Sequence, residues 1–244
     1  MADRQLQNTY PFTTAAGAGG PHGSGHEHDH EHPHDHPHAP APSAEDDPQM
    51  AYWEQRTKAL AQLLVDRGVL TADEVRGWIE RIEQTTPMLG ARVVARAWTD
   101  PAFKARLLKD GKAACEELGI DVSLINHLTV FENTERVHHV VTCTLCSCYP
   151  RPLLGEPPFW YKSTAYRNRV VVTPRKVLAE YFGTRVPEHV DLRVIDSTAD
   201  SRYLILPRRP AGTEGCSEDE LIKLITRDSM VGVSSALSPA EATR

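Results

Sequence analysis

The chain has 244 residues, 40% of them hydrophobic, enough for one ordinary core with chain left over, and its 33 acidic residues against 27 basic ones give a formal charge of −6. That balance gives no electrostatic reason to expect nucleic acid or an anionic membrane as partner. No stretch approaches the roughly 20 apolar residues of a spanning helix, and the N-terminus lacks a basic start followed by an apolar run, so no membrane association and a cytoplasmic location are expected.

Residues 1–48 are rich in Gly, Pro, Ala, Asp and His, and eight of the twelve histidines lie between His22 and His38. Such a segment cannot bury enough apolar surface to offset its ordering entropy, so it reads as a disordered His-rich tail. The alternation His26-Glu27-His28-Asp29-His30-Glu31-His32 can hold divalent metal loosely; an expression tag or solvated tail is the plain alternative.

Order is expected from about residue 49. Trp53, Leu60, Leu63 and Leu64 recur at helical spacing up to a stop at Gly68. Thr71 with Glu74 forms a capping-box pattern for a helix carrying Val75, Trp78, Ile79 and Ile82. A third helix runs from about Leu89 to Trp98, and Asp100-Pro101 caps the next. These elements, to about residue 120, read as a helical arm. The period then changes. His138–Thr142, Arg169–Val172, Val190–Ile195 and Arg202–Leu206 are short β-branched runs that predict strands. Between them Thr173-Pro174 starts a helix through about Phe182, and Ser217 with Glu220 caps one carrying Leu221, Ile222, Leu224 and Ile225. Residues 121–237 thus read as a layered α/β domain, residues 238–244 as a flexible end, and the fold class as α+β.

Three of the five cysteines fall in Cys143-Thr144-Leu145-Cys146-Ser147-Cys148-Tyr149-Pro150, just past a predicted strand. Such near neighbours bridge one another only with strain, but three thiolates on one tight loop can converge on a single soft ion. Structural zinc would need a fourth ligand, which His138 or His139 can supply. Cys143 and Cys146 can also be read as a thioredoxin-like redox pair, although that motif normally opens a helix and needs no third cysteine; Pro150 argues against a helix running through here. The plainest reading is three cysteines packed as small apolar residues, as lone Cys115 is read within its helix. Outside enzymes, a metallochaperone or metal-storage protein, or a redox sensor, would use the same residues.

The loop resembles the metal claw of the nitrile hydratase α subunit and of its relative, the thiocyanate hydrolase γ subunit. The likeness extends to Gly90-Ala91-Arg92-Val93-Val94, Ala97-Trp98-Thr99-Asp100-Pro101, Arg209-Pro210-Ala211-Gly212-Thr213-Glu214-Gly215 and Thr226-Arg227-Asp228-Ser229-Met230. The resemblance implies a nitrile hydratase α-type domain with a metal bound by the sulfurs of Cys143, Cys146 and Cys148 and the backbone amides of Ser147 and Cys148. It also implies sulfinic oxidation at Cys146 and sulfenic oxidation at Cys148, the two candidate catalytic positions. Thr144 and Tyr149 match the cobalt version, one cobalt(III) per chain, rather than the iron(III) version, which usually has Ser and Thr there. The expected reaction is hydration of a nitrile to an amide, the ion serving as Lewis acid on the C≡N group or acidifying a water, with attack by the Cys148 sulfenate oxygen as another route. Expected partners are a β-type subunit, whole or split into two chains, that brings arginines to the claw oxygens, and an activator protein for cobalt insertion.

Arg151 departs from the usual pattern, in which Trp follows Tyr-Pro. A guanidinium three residues past the claw suits a small anion, and with the His-rich tail it points to thiocyanate, converted to carbonyl sulfide and ammonia. Glu132-Asn133-Thr134-Glu135-Arg136-Val137-His138-His139 lies closer to the cobalt nitrile hydratases, so an organic nitrile is the first expectation, with Arg151 as a substrate-binding residue or a salt-bridged rim charge. Cys216 stands where Trp is usual.

Overall fold

The computed structural model describes residues 48–145 and 148–242; the His-rich tail, Cys146 and Ser147 lie outside the described residues. Two compact units divide between Val75 and Arg76. In the first, α1 (Pro48–Asp66) presents Tyr52, Trp53, Leu60 and Leu63 as exposed apolar residues and ends where Gly68 takes φ 66°. The capping box opening α2 (Ala72–Glu83) forms as expected: the Glu74 amide donates to Thr71 Oγ1 (3.1 Å), and the Thr71 amide to Glu74 Oε2 (2.7 Å).

The second unit holds α2 from Arg76 onward and the remaining described elements. α3 (Pro87–Thr99) buries a face of small residues, Gly90, Ala91, Ala95 and Ala97, together with Val93 and Val94. A side chain at Gly90 would meet Met230 Sδ at 2.8 Å and Leu154 Cδ2 at 2.9 Å, so only a bare backbone lets its neighbours seat this deeply. Asp100 Oδ1 accepts from the amides of Ala102 and Phe103 (both 2.9 Å) to start α4 (Pro101–Lys109). Asp110 does the same for α5 (Gly111–Glu117) through Ala113.

Two parallel strand pairs follow. β1 (His127–Glu132) pairs with β4 (Ser201–Leu206), His127 opposite Ser201; β2 (Val137–Thr142) pairs with β3 (Asp191–Asp196), Val137 opposite Asp191 and Thr142 opposite Asp196. Parallel pairing needs a crossover. For β2 to β3 it comprises α6 (Arg151–Leu154), α7 (Phe159–Lys162), α8 (Thr164–Val170) and α9 (Pro174–Phe182). α10 (Glu218–Ile222), α11 (Arg227–Val231) and α12 (Pro239–Ala242) complete the chain, the first two each with a capping box. Val93, Val94, Phe103, Leu107, Val140, Leu153, Leu204 and Ile205 share one core, so α3 and α4 pack in the same unit as the strands. The architecture is α+β. Among the described residues no helix is long and apolar enough to cross a membrane.

Three sequence expectations are corrected. Arg169–Val172 is not a strand: Ser163 Oγ accepts from the Tyr166 amide (3.1 Å) and nucleates α8, Tyr166 and Val170 bury one helical face, and Val172 is left exposed. β-branched propensity gives way there to burial at i, i+4 spacing. β1 was not expected, although Leu128 and Val130 alternate as buried positions. Leu224 and Ile225 lie past the end of α10, buried in the turn after it.

Candidate metal centre

The cysteine loop begins where β2 ends, at the carboxyl edge of the β2–β3 pair, the end of a parallel sheet where connecting loops form sites. The Ser197 amide donates to the Thr142 carbonyl (2.8 Å), carrying the ladder one residue past β3. Cys143 is fully buried. Its neighbour Thr144 is fixed twice by Asp196: the Thr144 amide donates to Oδ1 (2.9 Å) and its hydroxyl to Oδ2 (2.5 Å). Arg167 Nη1 also reaches the Thr144 carbonyl at 3.5 Å. Leu145 then projects into solvent, 84% exposed.

At the far end Cys148 is half-buried, and its carbonyl accepts from the Tyr161 hydroxyl (2.8 Å). The Tyr166 hydroxyl donates to the Val141 carbonyl (2.8 Å), one residue before β2 ends. Behind the loop the Tyr149 and Tyr161 rings meet edge to face, centroids 4.9 Å apart, and Trp160 packs on Tyr166 and Phe182, each at 4.8 Å. Burial pushes the phenols of Tyr149, Tyr161 and Tyr166 well above the ordinary tyrosine range, so all three are neutral; Tyr161 and Tyr166 donate, while the buried Tyr149 hydroxyl meets no partner among the described residues. Burial also raises the Asp228 carboxyl, with Arg227 (Nε to Oδ1, 3.6 Å) pulling the other way.

The two histidines are committed elsewhere. His138 Nε2 lies 2.7 Å from the Gly232 carbonyl, which can only accept, so that nitrogen carries the proton. His139 stacks on Phe131 (centroids 5.1 Å apart, 26° between planes), and its Nδ1 lies 3.1 Å from Asn133 Oδ1. Burial drives the His139 imidazole down to about 4 and lowers His138 as well. Neither forms a metal-holding group with the described cysteines, Cys143 and Cys148. Among the described residues no group of three or more His, Cys, Asp or Glu side chains is arranged to hold an ion, and Cys146 and Ser147, which complete the expected set with Cys143 and Cys148, lie outside them.

Arg151 opens α6 and is ion-paired within the chain: its Nη1 lies 3.0 Å from Glu156 Oε1, with Lys162 Nζ 4.0 Å from Glu156 Oε2. Cys115 is buried in α5 and its thiol is pushed up to about 12, as an unreactive core residue should be. An open groove lined by Trp98, Lys104, Glu132, Arg208 and Arg209 contains none of the expected site residues; Lys104 and Arg208 pair with Glu132 and Glu135, and Arg209 donates to Thr213 Oγ1 and the Trp98 carbonyl. Sequence reasoning missed Asp196, Tyr161 and Tyr166. The bare signal for them was polar or phenolic groups on elements flanking the loop.

A family model described as nitrile hydratase, alpha chain, matches residues 51–234. The cobalt-containing nitrile hydratase subunit alpha of Pseudonocardia thermophila is 52% identical over 182 residues, spanning 74% of this chain and 89% of that one. The thiocyanate hydrolase subunit gamma of Thiobacillus thioparus is 41% identical over 186 residues, 72% of this chain and 76% of that one. Among solved structures, a double mutant of the Fe-type nitrile hydratase from Comamonas testosteroni Ni1 aligns with a TM-score of 0.71 at 45% identity, covering 78% of this chain and 92% of that one.

Proposed function

This chain belongs to the nitrile hydratase α-chain family, and we propose that it is the metal-carrying catalytic subunit of an enzyme that hydrates a C≡N bond, converting a nitrile to its amide. The observation that carries this reading is the C-x-x-C-x-C loop at the carboxyl edge of a parallel pair, fixed at one end by Asp196 and at the other by Tyr161.

In this reading Cys143, Cys146 and Cys148 bind one cobalt(III) through sulfur, the backbone amides of Ser147 and Cys148 complete the set, and Cys146 and Cys148 are oxidised to sulfinate and sulfenate. The donors fit such an ion: thiolates are soft and deprotonated amides strong, and a fully buried Cys143 removes one sulfur from competition with water. When bound, the metal supplies Lewis acidity toward the C≡N group. The chain itself packs Tyr149, Tyr161 and Tyr166 behind the loop and holds the loop ends, and an oxidised Cys148 would present its sulfenate oxygen to the nitrile carbon. Cobalt rather than iron rests on Thr144 and Tyr149 and on the cobalt-containing relatives; the Fe-type relative shows that the fold itself does not choose. The outer side, with exposed Leu145, supports a partner subunit of β type that closes the site and brings arginines to the oxidised sulfurs. The relatives' own names, subunit alpha and subunit gamma, accord with this, and a cytoplasmic assembly belongs to the same reading.

A second reading rests on Arg151: thiocyanate as substrate, as the γ-subunit relative's name suggests for that protein. Glu156 tempers it by occupying the guanidinium. Mass spectrometry of the loop peptide from matured complex should show two added oxygens on Cys146 and one on Cys148, with about one inert cobalt per chain. Unaltered thiols around zinc, or freely exchanging metal, would reject the hydratase in favour of a structural or chaperone role. Comparing thiocyanate with an aliphatic and an aromatic nitrile decides the substrate.

A further inference from the structure

Two tyrosine hydroxyls grip the backbone around the cysteine loop, and they grip different parts of it. Tyr166 donates to the Val141 carbonyl, inside β2, where the ladder with β3 already fixes the chain. Tyr161 donates to the Cys148 carbonyl, and Cys148–Pro150 belong to no helix or strand. Rotating that carbonyl turns ψ of Cys148, and with it the relation between the residue's side chain and the chain that follows. The Tyr161 ring has no freedom to follow such a rotation. It is fully buried, edge to face with Tyr149 at 4.9 Å and with Trp160 at 5.8 Å, so its hydroxyl is a fixed point.

We infer that Tyr161 is a positioning residue of the metal centre, its hydroxyl setting the orientation of Cys148 so that this residue's sulfur and amide nitrogen reach the same ion as Cys143. The inference rests on the functional reading above. Asp196 performs the corresponding task at Thr144, so the loop is held from β3 at its start and from α7 at its end. The two anchors belong to separate elements, Asp196 to β3 and Tyr161 to α7 in the crossover. Losing one leaves the other in place, which makes a folded but misaligned claw the expected outcome of removing the Tyr161 hydroxyl.

The test compares Tyr161→Phe with Tyr166→Phe in the assembled, cobalt-loaded complex. Each variant deletes one buried hydroxyl and keeps its ring, so both should lower Tm by a few degrees. Tyr161→Phe alone should lose cobalt faster under chelator challenge, carry less of the single added oxygen on Cys148 by mass spectrometry, and lose about 10-fold or more in kcat with KM little changed, the scale expected when a second-layer partner of a metal ligand is removed. Equal behaviour of the two variants, or parent-like cobalt retention and Cys148 oxidation in Tyr161→Phe, overturns the inference while leaving the hydratase reading intact. A parent complex that itself holds no cobalt overturns both.

Discussion

The Thr144–Asp196 clamp can be weighed by a double-mutant cycle. The Asp196 carboxylate accepts two hydrogen bonds, from the Thr144 amide (2.9 Å) and hydroxyl (2.5 Å), and both residues are half-buried. Thr144→Val removes the hydroxyl bond at nearly constant shape; Asp196→Ala removes both. Hydrogen bonds to a charged group contribute about 1.5–3 kcal/mol each when buried, and partial exposure places these near the lower end. Thr144→Val should therefore cost about 1–2 kcal/mol and Asp196→Ala about 2–4 kcal/mol. The double variant should fall short of the sum by roughly the hydroxyl bond, a coupling of about 1–2 kcal/mol. Urea unfolding of the purified chain with equal m-values gives each figure directly. Strict additivity, or an Asp196→Ala cost no larger than that of Thr144→Val, would show that the carboxylate does not hold the loop, and the account of how the claw is anchored would fail at its first end.

Other expectations follow from single contacts. Gly232 has φ 88°, and a Cβ there would stand 2.0 Å from the His139 carbonyl oxygen; Gly232→Ala should cost more than about 3 kcal/mol and show as loss of soluble, cooperatively unfolding chain. His139 titrates near 4 in the fold against about 6.5 unfolded, so its share of stability is whole above about 6.5 and is lost as pH falls toward 4. That share is on the order of 3 kcal/mol, and His139→Leu should flatten the urea midpoint over this window; an unchanged slope refutes it. If thiocyanate is a substrate, Arg151→Trp should weaken its use selectively. Glu156→Gln, by releasing the guanidinium from a solvent-exposed pair, should then improve thiocyanate KM by no more than about five-fold, read in the assembled complex against a neutral nitrile.

Much of the arrangement is readable along the chain because its signals are local. The capping boxes at Thr71 and Ser217, the Asp100-Pro101 start and the β-branched runs His138–Thr142 and Val190–Ile195 each involve residues within a turn or a strand of one another. The C-x-x-C-x-C spacing is of the same kind. It specifies that three sulfurs can meet without any knowledge of the fold. Arg169–Val172 misleads because strand preference is a statement about packing, and here the packing is that of Tyr166 and Val170 on a helix.

What the sequence hides is whatever the parallel crossover brings back. Asp196 lies 52 residues from Thr144, and Tyr161 and Tyr166 lie 13 and 25 residues from the carbonyls they hold. No periodicity ties these positions together. They meet because β3 must return beside β2 in the same direction, with Thr142 opposite Asp196, and that register forces the helices between them to pass behind the loop. A one-residue slip would turn the Asp196 side chain to the other face of the pair and leave Thr144 without its acceptor. The register of a two-stranded ladder therefore decides whether the segment that opens the cysteine loop is clamped at Thr144, something the C-x-x-C-x-C spacing cannot supply by itself.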